Sequence, residues 1–172
     1  MFATQLNGLF KKIQESQMES IEDGARLLSQ ASIAEGTIYV CGTNEMAAVS
    51  HEATMGAEPL SHCIALRPDE SLELIGNMDR VLLITRYSSD PQALQLAKQL
   101  SEKQIPFVAI STHMGEATLS LIDLADVHID LQLKKGLLPN DMGERFGYPS
   151  SIAALIVYYG LKFTIEEILA EY

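Results

Sequence analysis

Phe2, Leu6, Leu9, Phe10, Ile13, Ile21, Ala25 and Leu28 recur at intervals near three and four, with charged residues between them. That spacing predicts a long amphipathic helix from Phe2 to about Ala31, with a break near Gln17. After Gly36 the period changes. TIYVCG is a short β-branched run closed by glycine, and the stretch from Asn44 to Ala57 holds no turn signal until Gly56, so strand, turn and helix are expected in that order. HCIALR reads as a short strand, Glu70 to Ile75 as one or two helical turns, and RVLLIT (80–85) as a strand buried on both faces. Asp90-Pro91 marks a helix start, because aspartate caps orphan amides and proline is pre-set for the first helical position. That helix is expected to reach about Lys103, followed by a strand PFVAIS (106–111), a short helix (118–124) and a last strand (127–131). A loop is expected over 134–149. The closing SSIAALIVYYGLKFTIEEILAEY reads as a helix capped by Ser150 or Ser151, apolar almost all round in its first half and therefore covered on both sides.

Strands alternating with helices imply an α/β fold, here a three-layer doubly wound sandwich around a five-stranded parallel sheet with long N- and C-terminal helices. The reading is one domain over 1–172: a helical arm (1–34), sheet and crossover helices (36–131), a loop (134–149) and a C-terminal helix (150–172). Sheets of this kind bind ligands at the carboxyl ends of their strands.

Charge narrows the partners. With 12 lysines and arginines against 23 aspartates and glutamates the formal net charge is -11, which repels nucleic acid and anionic lipid while leaving room for a small anion held by local donors. Cys41 and Cys63 form no CxxC motif and lie in apolar strand-like runs, as buried free thiols of a reducing compartment do. The N-terminal residues mix charge into the apolar pattern too early for a signal peptide, and no apolar run reaches the roughly 18 residues that span a bilayer. A cytoplasmic protein is expected.

Two loops sit where a ligand should bind. Gly42-Thr43-Asn44-Glu45 offers a permissive glycine, small polar groups and a helix start; Thr85-Arg86-Tyr87-Ser88-Ser89-Asp90, ahead of Pro91, offers hydroxyls and amides at a second helix start. Two helix N-termini aimed into one crevice make an anion site, whereas the same residues also serve simply as turn caps.

The run RVLLITRYSSDPQALQLAKQLSEKQIPFVAIST resembles the hallmark of the SIS (sugar isomerase) domain, in which a strand ends in Ser-x-Ser-Gly-x-Thr-Pro, a helix follows and the next strand reads like PVIAIT. GTIYVCGTNEMAAVSHEA is similar to the family's opening strand with its Gly-x-Gly-x-Ser loop, and LSLIDLADVHIDL to the segment before its last strand; the likeness spans about Gly36 to Leu131. The resemblance implies a flavodoxin-like SIS fold, a phosphorylated sugar as ligand and a homo-oligomer, dimer or tetramer, with size and order most like the phosphoheptose isomerase branch. Carried over by position, Thr85 falls on the first serine, Tyr87 on the second, Ser88 on the glycine and Asp90 on the threonine. An aspartate there brings like charge toward a phosphate, costing about 1 kcal/mol or more, which Arg86 would offset. In the opening loop Asn44 takes the second glycine's place and Met46 the serine's.

The branch's zinc site does not carry over. Without a gap Glu52 and Gly56 fall on its helix histidine and glutamate, with one deletion His51 and Met55 do, and the final helix holds Tyr158 and Tyr159 but no histidine. No metal or other cofactor is expected, and His62, His113 and His128 show no ligand spacing. Glu144 in the long loop is a further candidate base, with Arg145 as a phosphate clamp. An aldose-ketose isomerase using Glu144, Glu52 or His51 is therefore one reading; a non-catalytic phosphosugar-sensing module is the other. A dinucleotide-binding domain is disfavoured, because Gly42 begins no G-x-G-x-x-G.

Overall fold

The predominantly apolar runs become the strands of one parallel sheet, and helices between and around them cover its two faces. The computed structural model describes residues 1–115 and 118–172. In chain order the main elements are α1 (Phe2–Ile33), β1 (Ile38–Gly42), α2 (Ala47–Met55), β2 (Cys63–Ala65), β3 (Arg80–Tyr87), α3 (Pro91–Glu102), β4 (Phe107–Thr112), α4 (Leu121–Leu124), β5 (Val127–Asp130), β6 (Leu138–Pro139), β7 (Arg145–Phe146) and α5 (Ser150–Ala170). The sheet order is β2-β1-β3-β4-β5, every pair parallel. The five-stranded parallel α/β sandwich expected from the sequence is present.

Each face of the sheet carries its own core. On one side Val40, Leu82, Ile84, Val108, Ile110 and Ile129 pack under α1, α2 and α5. On the other, Cys41, Val81, Leu83, Phe107 and Ala109 meet Leu96, Ala97 and Leu100 of α3. Burial of β3 and β4 on both faces explains their unbroken apolar runs. α5 is buried along Ala153, Ala154, Val157, Leu161 and Ile165, and no helix among the described residues is long and apolar enough to cross a membrane.

Local expectations fail where a distant partner decides. α1 runs unbroken through Gln17, whose side-chain oxygen accepts the Asp130 amide of β5 at 2.9 Å. The expected helical turns at Glu70 to Ile75 are irregular turns, because Leu72 and Ile75 are drawn into the core and the Leu72 carbonyl takes a hydrogen bond from Lys103. α2 is preceded by a single 3-10 turn, Asn44–Met46. Pro149, not a serine, stands at the start of α5, with no side-chain cap. The 134–149 loop contains the β6–β7 hairpin, whose turn is closed by Asn140 accepting from the Met142 and Glu144 amides. Cys41 is buried as expected; Cys63, on the edge strand, is only half-buried.

Candidate functional site

β1 and β3 lie side by side, but their following helices α2 and α3 cover opposite faces of the sheet. In open α/β sheets such a divergence marks the place, at the carboxyl ends of the strands, where ligands bind. The first turn is tight because of Gly42: an added Cβ would stand 2.2 Å from the Met46 carbonyl oxygen. Its amide donates to Ser50 Oγ at 3.1 Å, and Asn44 adopts φ 48°, which suits asparagine. The second turn begins where the register of β3 against β4 shifts between Ile84 and Tyr87.

The two turns are fastened to each other. Thr43 Oγ1 donates to Thr85 Oγ1 at 2.8 Å, both side chains fully buried. Arg86 Nε donates to Glu45 Oε1 at 2.6 Å at the surface; the guanidinium holds the Glu45 carboxyl below its ordinary range. Arg86 therefore answers Glu45 rather than standing free against Asp90. Asp90 turns its carboxylate back onto its own helix, accepting from the Gln92 and Ala93 amides at 2.9 and 3.2 Å. Ser88 is buried, its hydroxyl 3.5 Å from His113 Nδ1 and its amide donating to the Thr112 carbonyl. Thr85 and Ser88 thus brace the two turns from beneath. The groups left facing outward are Ser89, Asn44, Arg86 and half-buried Tyr87; the Asn44 and Ser89 amides have no protein acceptor among the described residues.

A third contributor was not singled out from sequence. β4 and β5 bring Ser111 opposite Asp130, and there Ser111 Oγ pairs with His128 Nε2 at 2.7 Å while Asp130 accepts the His113 amide at 3.1 Å. Burial pushes the His128 imidazole down to about 4, with His113 adding to the fall and Asp130 opposing it. Only strand pairing unites these residues, so sequence spacing carries no sign of them.

The candidate proton carriers are dispersed. Glu52 on α2 accepts from the Tyr159 hydroxyl of α5 at 2.6 Å, which raises the Tyr159 pKa. His51 is exposed. Glu144 is exposed on the hairpin and held by Asn140 Nδ2 at 2.9 Å, while Arg145 donates to the Gly136 and Leu137 carbonyls. Among the described residues no three His, Cys, Asp or Glu side chains are placed to hold a metal ion.

The profile described as "Domain of unknown function (DUF2529)" matches residues 1–169. The chain belongs to the DUF2529 family. An uncharacterized protein YwjG of Bacillus subtilis (strain 168) is 41% identical over 172 residues, covering 100% of this chain and 98% of the relative. Among solved structures, E. coli CFT073 c3406 in complex with a phosphorylated sugar superposes with TM-score 0.68 at 12% identity, over 97% of this chain and 87% of its own. Phosphoheptose isomerase GmhA from Neisseria gonorrhoeae gives 0.67 at 12%, over 95% and 94%. The sugar isomerase domain of the RpiR transcription factor from Sphaerobacter thermophilus gives 0.63 at 14%, over 99% and 94%. This DUF2529 chain thus shares the SIS fold, and at these identities the likeness speaks for the fold alone.

Proposed function

We propose that the protein binds a phosphorylated sugar in the β1–β3 crevice and acts as a binding or sensing module rather than an efficient isomerase. The observation that carries this reading is the fastening of the two turns by Thr43–Thr85 and Glu45–Arg86. It fixes two helix starts beside one another while Asp90 is turned away onto its cap. Oriented, unsatisfied amides at such a junction favour an anion. The phosphate would sit against the Asn44 and Ser89 amides, the Ser89 hydroxyl and the exposed edge of Arg86, with the sugar extending over Tyr87. The fold neighbours lend support, since one is a complex with a phosphorylated sugar and another is part of a transcription factor.

A second reading keeps catalysis: Glu52, hydrogen-bonded to Tyr159, is a carboxylate and phenol pair able to pass a proton between adjacent sugar carbons. Calorimetry over a panel of sugar phosphates, paired with a coupled aldose-ketose assay on whichever compound binds, separates the two. Binding without turnover, lost in the exposed-site variant Ser89→Leu, is the expected result. Turnover abolished by Glu52→Gln would transfer the assignment to the isomerase, and failure of every phosphorylated compound to bind would leave the fold without this function.

A further inference from the structure

A cluster of cations lies away from those two turns. The segment that follows β5 walls a cavity of about 670 Å3 against the first turns of α1, lined by Gly8, Lys12, Gln132, Lys134, Lys135 and Arg145 among others. Its charge runs against that of the molecule. The chain carries 23 acidic residues against 12 lysines and arginines, yet the cavity has four cations and one carboxylate, Asp130. Lys11, Arg26, Arg67, Arg86 and Lys162 pair with carboxylates. Lys12, Lys134, Lys135 and Arg145 form no ion pair among the described residues, and all four line this one cavity. Asp130 is already committed, its Oδ1 accepting from the His113 and Gln132 amides at 3.1 and 2.8 Å.

The wall is built before any ligand arrives. On one side of Lys134–Lys135, Gln132 takes φ 55° and donates to Ser16 of α1, and the Leu133 amide donates to Thr112 Oγ1 at 3.3 Å. On the other, Gly136 packs so closely on the hairpin that an added Cβ would lie 2.3 Å from the Phe146 carbonyl oxygen. The Leu137 amide donates to the Gly147 carbonyl at 2.9 Å. Arg145 is aimed by its two carbonyl acceptors, at 2.9 and 3.1 Å. Four cations against one carboxylate leave the cavity with an excess of positive charge, which an entering anion offsets.

The geometry points to a binding site for a small metabolite bearing two or more phosphate charges, held by Lys12, Lys134, Lys135 and Arg145 and independent of the sugar-phosphate crevice. Lysines act on phosphate as point charges and a guanidinium adds directed donors. The volume falls within the range of small-molecule sites. The net charge of -11 turns away long polyanions, which restricts the occupant to a short one.

Inorganic pyrophosphate is the probe, titrated calorimetrically into the full chain with acetate at matched ionic strength as control. One equivalent is expected to bind, with affinity falling as salt rises. The charge reversals Lys134→Glu and Lys135→Glu, at two exposed positions, should weaken binding at least about tenfold. Gly8→Trp should block it sterically, since a Cβ at Gly8 meets nothing within 4 Å and the fold has no reason to yield; circular dichroism checks that each variant is folded. Ser89→Leu should leave pyrophosphate affinity unchanged. No binding to the parent protein overturns the proposal, as does binding that survives the lysine reversals and Gly8→Trp or that is lost in Ser89→Leu.

Discussion

Thr43 and Thr85 illustrate how a buried polar pair is worth more as a constraint than as a bond. Each hydroxyl is fully buried and answers the other at 2.8 Å. Removing one, as in Thr43→Val, strands its partner away from water at a cost of about 1–3 kcal/mol, whereas removing both replaces a satisfied polar pair by apolar groups of the same shape. Urea unfolding of Thr43→Val, Thr85→Val and the double variant should therefore show two destabilised single variants and a double variant close to the parent. Additive losses would mean that the pair does not hold the turns together. His128 supplies a pH signature. Its folded pKa is pushed by burial from an ordinary 6.5 to about 4, so between those values the unfolded chain takes up a proton that the folded chain refuses. Its neutral form contributes fully above about pH 6.5. Stability should fall as pH drops from 6.5 to 4 and flatten below, by on the order of 3 kcal/mol from this one group. The unfolding free energy of His128→Gln relative to the parent should drift by that amount across the window, and a constant difference would show that His128 titrates normally.

Elements divide by how local their causes are. α3 is set by Asp90 and Pro91 in adjacent positions, and Asp90→Ala should cost about 1 kcal/mol in thermal or urea unfolding through the lost cap. The same variant should bind the crevice ligand no worse than the parent, because the carboxylate faces its own helix; a large change in affinity would place Asp90 against the ligand instead. That motif, the glycine closing β1 and the apolar runs of β3 and β4 are all legible in a few neighbouring residues. The unbroken course of α1 past Gln17 is not, since its reason is an amide of β5 more than a hundred positions later. The same division runs through the candidate site. Gly42 and the hydroxyl-rich run after β3 announce a turn at each strand end. Which hydroxyls face a ligand depends on pairings such as Thr43 with Thr85 and Ser88 with His113, and those exist only once strand order and register are fixed. The cationic cavity is equally invisible in sequence, because Lys12 joins Lys134, Lys135 and Arg145 only when α1 returns across the end of β5.

At the scale of the molecule, the question is what covers α5. The all-round apolar stretch Ile152 to Leu161 and the amphipathic α1 together offer more apolar face than one sheet requires, and the packing narrows that surplus. Leu9, Ile13, Ala25 and Leu28 of α1 are spent on the core, while α5 keeps Ile152, Ile156 and Phe163 between 42% and 49% exposed. With half-buried Tyr159, stacked on Phe163 at 5.8 Å, they fall at intervals of four, three and four, one stripe along the helix and the seam of a helix–helix contact. Met55 and Ile64, on α2 and β2, are exposed as well. At a net charge of -11 two copies repel overall and the uncharged stripe adds nothing to that repulsion, so we propose a second copy of the chain laid against α5 as its occupant. Light scattering at micromolar concentration should return twice or four times 18.9 kDa, and raising the salt should tighten the assembly by screening the repulsion. Placing charge in the stripe with Ile156→Lys and Phe163→Glu should yield folded monomers. A parent protein that scatters as a monomer would show that the stripe serves no self-association, and variants that remain oligomeric would place the contact elsewhere on the molecule.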